Sequence, residues 1–323
     1  MSRSLKAVAC ALLLALVAVA SPNPSVAAVK TVKVNDPLYN RQWGIRRVGL
    51  PTAWKTTQGA GMTIAIVDTG VDRRHEDLAG NFLIKKQYDA INDDFDAADL
   101  HGHGTSVAGV AAAVGNNGKG ISGAAPKAKI MTVRAFGALQ GAAPEDVSDG
   151  VRWAADNGAN VINLSLGSSL PVDPFLTDLQ EISLVYATAQ GALVVAAAGN
   201  STDPYCSTPA FNPAVLCIGA SDEFDQLADF SSYGLRLDVV APGTSILSTD
   251  RFGFYSASQG TSVAAPLVAG VGALLMSMGA SNVLAAQIIR ASAKDLGIAG
   301  YDITYGFGRL DAAAAVEMCK QIC

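Results

Sequence analysis

Short apolar runs alternate with stretches of helical spacing from about residue 60 to residue 275. That rhythm is the pattern of a buried, mostly parallel sheet with helices packed on it. Met62–Val67 (MTIAIV), Lys129–Ala135, Val161–Leu166 and Leu193–Ala198 are the strands it predicts. Thr105–Val114 and Glu145–Asn157 have helical spacing, and Pro144 with Glu145 suits a helix start. Ser262–Met278 is apolar all round, with Pro266 in its first turns, and is predicted as a helix buried in the middle of the domain. Ser281–Ala293 reads as an amphipathic helix and Asp311–Cys319 as a short terminal one. Half of the 323 residues are hydrophobic and 16% are charged, so the chain can build a substantial core. No linker or repeat interrupts it, and one domain over 29–323 is expected.

The first 28 residues are expected to be a signal peptide. Arg3 and Lys6 precede an apolar run from Val8 to Ala20, which is too short to span a bilayer comfortably. Small residues at Ala18–Ala20 and Val26–Ala28 place the cut near 20–28. Cys10 lies inside the run, not after it, so lipid attachment is not expected. Without Arg3 and Lys6 the chain carries 21 basic against 28 acidic residues, a net of −7. With no basic patch, neither nucleic acid nor an anionic membrane is an expected partner, and an acidic surface would suit a calcium-binding protein. Export would place the four remaining cysteines where they can pair. Three pairings are possible, proximity favours Cys206 with Cys217 and Cys319 with Cys323, and free thiols stay open.

A proton shuttle working near neutral pH has to come from the three histidines, His75, His101 and His103. His103 opens His103-Gly104-Thr105-Ser106-Val107-Ala108-Gly109, a stretch of small residues that can pack closely. Asp68 ends a buried strand, where an α/β sheet puts its ligands and catalysts. Ser262, in Gly260-Thr261-Ser262, starts the buried helix, whose backbone N–H groups and dipole favour a developing oxyanion. Asn200 ends another buried strand and offers an amide to the same oxygen.

Together, Asp68-Thr69-Gly70, His103-Gly104-Thr105 with Val107-Ala108-Gly109, Ala198-Gly199-Asn200, and Gly260-Thr261-Ser262 with Ala264 and Pro266 resemble the subtilisin-like serine protease family. Their order in the chain is the family's, the likeness spans Asp36 to Ala315, and it is nearest to thermitase-like members. The resemblance implies a three-layer α/β fold, a mostly parallel central sheet with helices on both faces. It also implies a secreted serine endopeptidase, acting as a monomer on protein or peptide substrates. Ser262 would be the nucleophile, His103 the base, Asp68 its orienting partner and Asn200 an oxyanion donor. Ser165-Leu166-Gly167 resembles the edge along which a substrate adds as a strand, with Ala197-Ala198-Gly199 in the opposite wall and Thr208-Pro209-Ala210 near the base of the primary pocket. No acidic residue stands in these segments, which implies an apolar or aromatic preference at the cleavage site.

Calcium is the cofactor implied. Asp36, Asp77 and Asn117 match a first site, and Asp89, Asn92, Asp94 and Asp96, in the run Asp89–Asp99, resemble a second. The spacing is not that of an EF-hand. His75 matches a family position outside the triad and is expected to be structural, and His101 is expected in an exposed loop. The chain departs from the family in having few residues between the export segment and Asp36, where an inhibitory propeptide is usual. It also has Leu267 and Ser106 where histidine, or histidine or cysteine, is common. An α/β-hydrolase is excluded, because no Gly-x-Ser-x-Gly is present and the order Asp, His, Ser is wrong for that class.

Overall fold

Alternate side chains of each interior strand enter two separate cores. In β1 (Thr63–Asp68), Ile64 and Ile66 join one core, while Ala65 and Val67 join the other. The computed structural model that shows this describes residues 33–137, 141–167 and 174–323, with the backbone alone for 174–179. The expected signal peptide lies outside the described residues.

Six further strands flank β1 in one parallel sheet: β2 (Phe82–Asp89), β3 (Lys129–Arg134), β4 (Val161–Leu164), β5 (Leu193–Ala197), β6 (Val215–Ser221) and β7 (Leu237–Pro242). Their spatial order is β2-β3-β1-β4-β5-β6-β7. An antiparallel pair, β8 (Ile246–Thr249) and β9 (Tyr255–Ser258), stands apart from it. Two short helices, α1 (Trp43–Arg47) and α2 (Leu50–Ala53), precede the sheet, and α3 (His103–Ala112), α4 (Pro144–Asp156) and α5 (Pro174–Ala189) lie between its strands in the chain. Last come α6 (Thr261–Met276), α7 (Asn282–Ala291) and α8 (Ala312–Ile322). Residues of α3, α6, α7 and α8 fill the core on one face, and residues of α4 and α5 fill the other. This is the three-layer arrangement the resemblance implied.

The differences from the sequence reading have local causes. β2 carries Lys85, Lys86 and Gln87 because it is an edge strand with an open face, so it lacks the apolar signature. α3 starts two residues before the predicted Thr105, since Gly102 (φ 112°) turns the chain directly into His103. β4 stops at Leu164, and Ser165-Leu166-Gly167 runs on beyond the ladder. Residues 201–260, unassigned in the sequence reading, hold β6, β7 and the β8–β9 pair.

Two disulfides join Cys206 to Cys217 and Cys319 to Cys323. A charge cluster ties the two ends of the described chain together. Asp225, between β6 and β7, meets Arg47 of α1 at 2.8 Å, Lys294 at 3.1 Å and Arg309 at 3.0 Å. Burial alone would raise its carboxyl, but Arg47, Lys294 and Arg309 outweigh that and hold it below the usual range. Asp225 has a positive φ of 66°, a conformation that asparagine also accepts. Asp225→Asn therefore isolates the charge. It is expected to cost about 3 kcal/mol, chiefly by leaving Arg309 buried without its counter-charge. The contribution should be complete above about pH 4 and be lost as pH falls through the lowered value, so urea melts of the two proteins should converge in acid.

Candidate active site

Asp68 and His103 meet because the turn after β1 and the start of α3 are built around one another. A Cβ on Gly104 would lie 2.1 Å from the Gly70 carbonyl oxygen, so only glycine permits this approach. The Gly104 N–H donates to the Thr69 hydroxyl at 2.9 Å, and that hydroxyl donates to Asp99 Oδ1 at 2.9 Å. Asp99, itself buried, also accepts from the backbone N–H groups of His101, Gly102 and Thr105 at 2.8–3.0 Å. It thus caps α3, which has no side-chain cap from its own first residue.

The product of this packing is a 2.7 Å hydrogen bond between His103 Nδ1 and Asp68 Oδ1. Asp68 is wholly buried and also accepts from the Thr69 N–H at 2.7 Å. With Nδ1–H donating to the carboxylate, the neutral ring keeps its lone pair on Nε2. Burial by itself would lower the His103 pKa, but the charge and hydrogen bond of Asp68, with the charge of Asp99, raise it above the ordinary imidazole value.

Ser262 is the second residue of α6, where backbone N–H groups have no helical partner. Asn200 Oδ1 accepts from the Thr261 N–H at 2.9 Å and from its hydroxyl at 3.0 Å. The amide is thereby oriented, and Nδ2 is left to face away from Thr261. A Cβ built on Gly260 would lie 2.9 Å from Ser262 Oγ and 3.4 Å from Asn200 Nδ2, so both groups border the same small space. Pro266 lacks the N–H that would otherwise take the Ser262 carbonyl. Ser165 Oγ donates to that carbonyl instead, at 2.7 Å, and accepts from Asn163 Nδ2 at 2.9 Å. The proline thus frees an acceptor that ties the Ser262 backbone to the end of β4.

One cleft receives His103, Asn200 and Ser262, with Ser165-Leu166-Gly167 along it and Ala197 and Gly199 opposite. Ala198, expected in that wall, instead turns its side chain into the core and offers its carbonyl to the Ser207 N–H at 2.8 Å. Ser207 itself reaches between the walls, just ahead of the Thr208-Pro209-Ala210 segment expected at the base. Its hydroxyl would lie 2.5 Å from a Cβ on Gly167 and 3.1 Å from one on Gly199. Phe136 also lines the cleft, with its ring 6.2 Å from that of His103. His101 is exposed beside it, whereas His75 is buried, donating from Nε2 to the Phe254 carbonyl and accepting the Asp77 N–H.

The sequence reading did not single out Asp99, Thr261, Asn163, Phe136 or Ser207. An acid just ahead of a helix start is a capping pattern that could have marked Asp99. The others become visible only through contacts between distant segments.

Asp36, Asp77 and Asn117 come together. Asp77 Oδ1 accepts from Asn117 Nδ2 at 2.7 Å, and Asp36 accepts from the N–H groups of Asn116 and Asn117 at 2.9 and 3.0 Å. Both carboxylates are buried, and among the described residues neither has a cationic partner. Burial first, and the charge of Asp77 after it, raise the carboxyl of Asp36. Two buried carboxylates beside an asparagine are donors of the kind calcium takes, although Asn117 here turns its Nδ2 to Asp77 and its Oδ1 to the Lys119 N–H.

The second group is engaged differently. Asp89 ends β2 and pairs with Arg134 and with the Asn92 amide. Asp94 accepts the Asp96 N–H, and Asp96 pairs with Arg73. Asp89 and Asp96 thus have arginine partners from outside the loop.

The profile of the Subtilase family (Peptidase S8) matches residues 59–308. The chain is 42% identical over 303 residues to a thermophilic serine proteinase of Bacillus sp. (strain AK1), covering 93% of this chain and 73% of that protein. It is 40% identical over 286 residues to thermitase of Thermoactinomyces vulgaris, covering 88% of this chain and 99% of that one. Among solved structures, a protease of Pseudoalteromonas arctica PAMC 21717 superposes with a TM-score of 0.81 at 33% identity, covering 89% of this chain and all of that one.

The His103 environment can be tested without reference to any relative. In an NMR pH titration its ring should hold its proton to a higher pH than an ordinary imidazole, above about 6.5. A midpoint below that would mean that burial outweighs the two carboxylates.

Proposed function

The chain belongs to the subtilase family and is a serine-type endopeptidase; from that premise we propose that Ser262, His103, Asp68 and Asn200 carry the reaction. His103 Nε2 takes the proton as Ser262 Oγ attacks the peptide carbonyl, and later returns it to the leaving amine. Asp68 fixes the tautomer and favours the imidazolium. Asn200 Nδ2 and the Ser262 N–H donate to the oxyanion of the tetrahedral intermediate. Water, deprotonated by His103, then releases the acyl group from Ser262. The observation that supports this reading most is the 2.7 Å Asp68–His103 bond at the edge of a cleft shared with Ser262 and Asn200.

Substrate chains lie along Ser165-Leu166-Gly167 as an added strand, bound through main-chain groups and therefore with broad tolerance of sequence. The walls of the primary pocket are small and uncharged, which favours an apolar or aromatic residue before the scissile bond. Asp36, Asp77 and Asn117 would hold a calcium ion, which would neutralise two buried carboxylates and fasten the segment before α1 to the loop after α3. Residues 29–323 act as one peptidase domain, exported by the segment before it and functioning as a monomer on protein or peptide substrates. Among the described residues, no helix is long and apolar enough to cross a membrane.

Purified protein is expected to cleave casein, and Ser262→Ala is expected to leave it intact; equal cleavage by both proteins would refute the assignment. Asn200→Ala should lower kcat by about the 10²–10³ that loss of one such donor costs in a subtilisin. EDTA should lower the thermal midpoint by about 5–10 °C, a shift that calcium restores, and this shift should be absent in Asp36→Asn/Asp77→Asn.

A further inference from the structure

The Cys206–Cys217 disulfide is fully buried in the core that the Leu166 and Ala198 side chains also enter. Cys217 is held in the middle of β6, where its N–H donates to Asp238 at 2.8 Å. Cys206 immediately precedes Ser207, whose side chain comes between Gly167 and Gly199, one residue from each wall of the cleft. Among the described residues the Ser207 hydroxyl has no hydrogen-bond partner although it is buried. The Ser207 backbone has two links among the described residues, its N–H to Ala198 at 2.8 Å and its carbonyl to the Phe211 N–H at 3.0 Å. Among the described residues, the last upstream main-chain bond is that of the Asp203 carbonyl with the Tyr233 N–H at 2.9 Å, and the covalent link at Cys206 joins residues 204–206 to β6.

We propose that the Cys206–Cys217 disulfide is a positioning element for substrate selection, holding Ser207 as the floor between the Gly167 and Gly199 walls. The proposal rests on the endopeptidase reading above. A floor fixed to a central strand sets the depth available to the residue before the scissile bond. Large side chains reach the floor, and small ones do not. The disulfide therefore acts on discrimination between substrates and leaves the chemistry at Ser262 untouched.

The test uses peptide anilides that differ only in that residue, alanine or phenylalanine, with the parent protein and Cys206→Ala/Cys217→Val. The ratio of kcat/KM for phenylalanine over alanine should change by about fivefold or more in the variant, with the alanine substrate within about twofold of the parent. An unchanged ratio, or an equal fall on both substrates, would overturn the proposal and leave the disulfide a stabilising role alone. Should that variant fail to fold, Ser207→Gly keeps the disulfide and removes the floor. It should change the same ratio, and an unchanged ratio there is equally fatal. Cleavage of the alanine substrate by the parent distinguishes failure of this proposal from failure of the endopeptidase reading, under which neither substrate would be cut.

Discussion

A wholly buried carboxylate at the end of β1 is the constraint around which the rest of the site is arranged. Taking such a group out of water costs several kcal/mol unless donors replace its hydration. Asp68 finds two of them in the Thr69 N–H and His103 Nδ1. The second can be supplied only if α3 begins against the turn that follows β1. That requires glycine at 104, the Thr69–Asp99 link and the capping of α3 by Asp99. The same arrangement places two negative charges near one imidazole, which raises its pKa despite burial. Packing and proton affinity therefore have a common origin.

A parallel sheet puts the carboxyl ends of its strands on one side. Asp68 ends β1, Ser165 follows β4 and Asn200 follows β5, three neighbouring strands in the sheet. α6 then presents Ser262 to that edge. Pro266 and Ser165 connect the two, because the proline removes a helical donor and the serine supplies another 97 residues away in sequence. Fixing the Ser262 backbone from outside its own helix would pre-organise it for the role proposed for it.

Asp68, His103, Asn200 and Ser262 could be picked out in the sequence because each stands where an apolar run meets glycine-rich chain, which is a local pattern. Asp99 was read only as the last residue of an acidic run, yet it is buried and joins two turns 30 residues apart. Asp89 was read as a candidate calcium ligand in the same run, but it closes β2 and pairs with Arg134 of β3. No periodicity reveals such a partner, because it depends on strand order. Ala198 shows the opposite limit: it was expected in the cleft wall with its neighbours, but a single step along the chain turns its methyl into the core and leaves Gly199 on the cleft. β2 escaped notice because edge strands need no continuous apolar run.

The central claim is that Ser262 is an activated nucleophile served by His103 and Asp68. Labelling the folded protein with a fluorophosphonate and locating the adduct by peptide mass spectrometry tests this most directly, because such reagents require an activated hydroxyl and no substrate recognition. The account predicts one adduct, on Ser262, formed far more slowly in His103→Ala. Folded protein that takes no label at Ser262, or takes it on a different serine, would contradict the account.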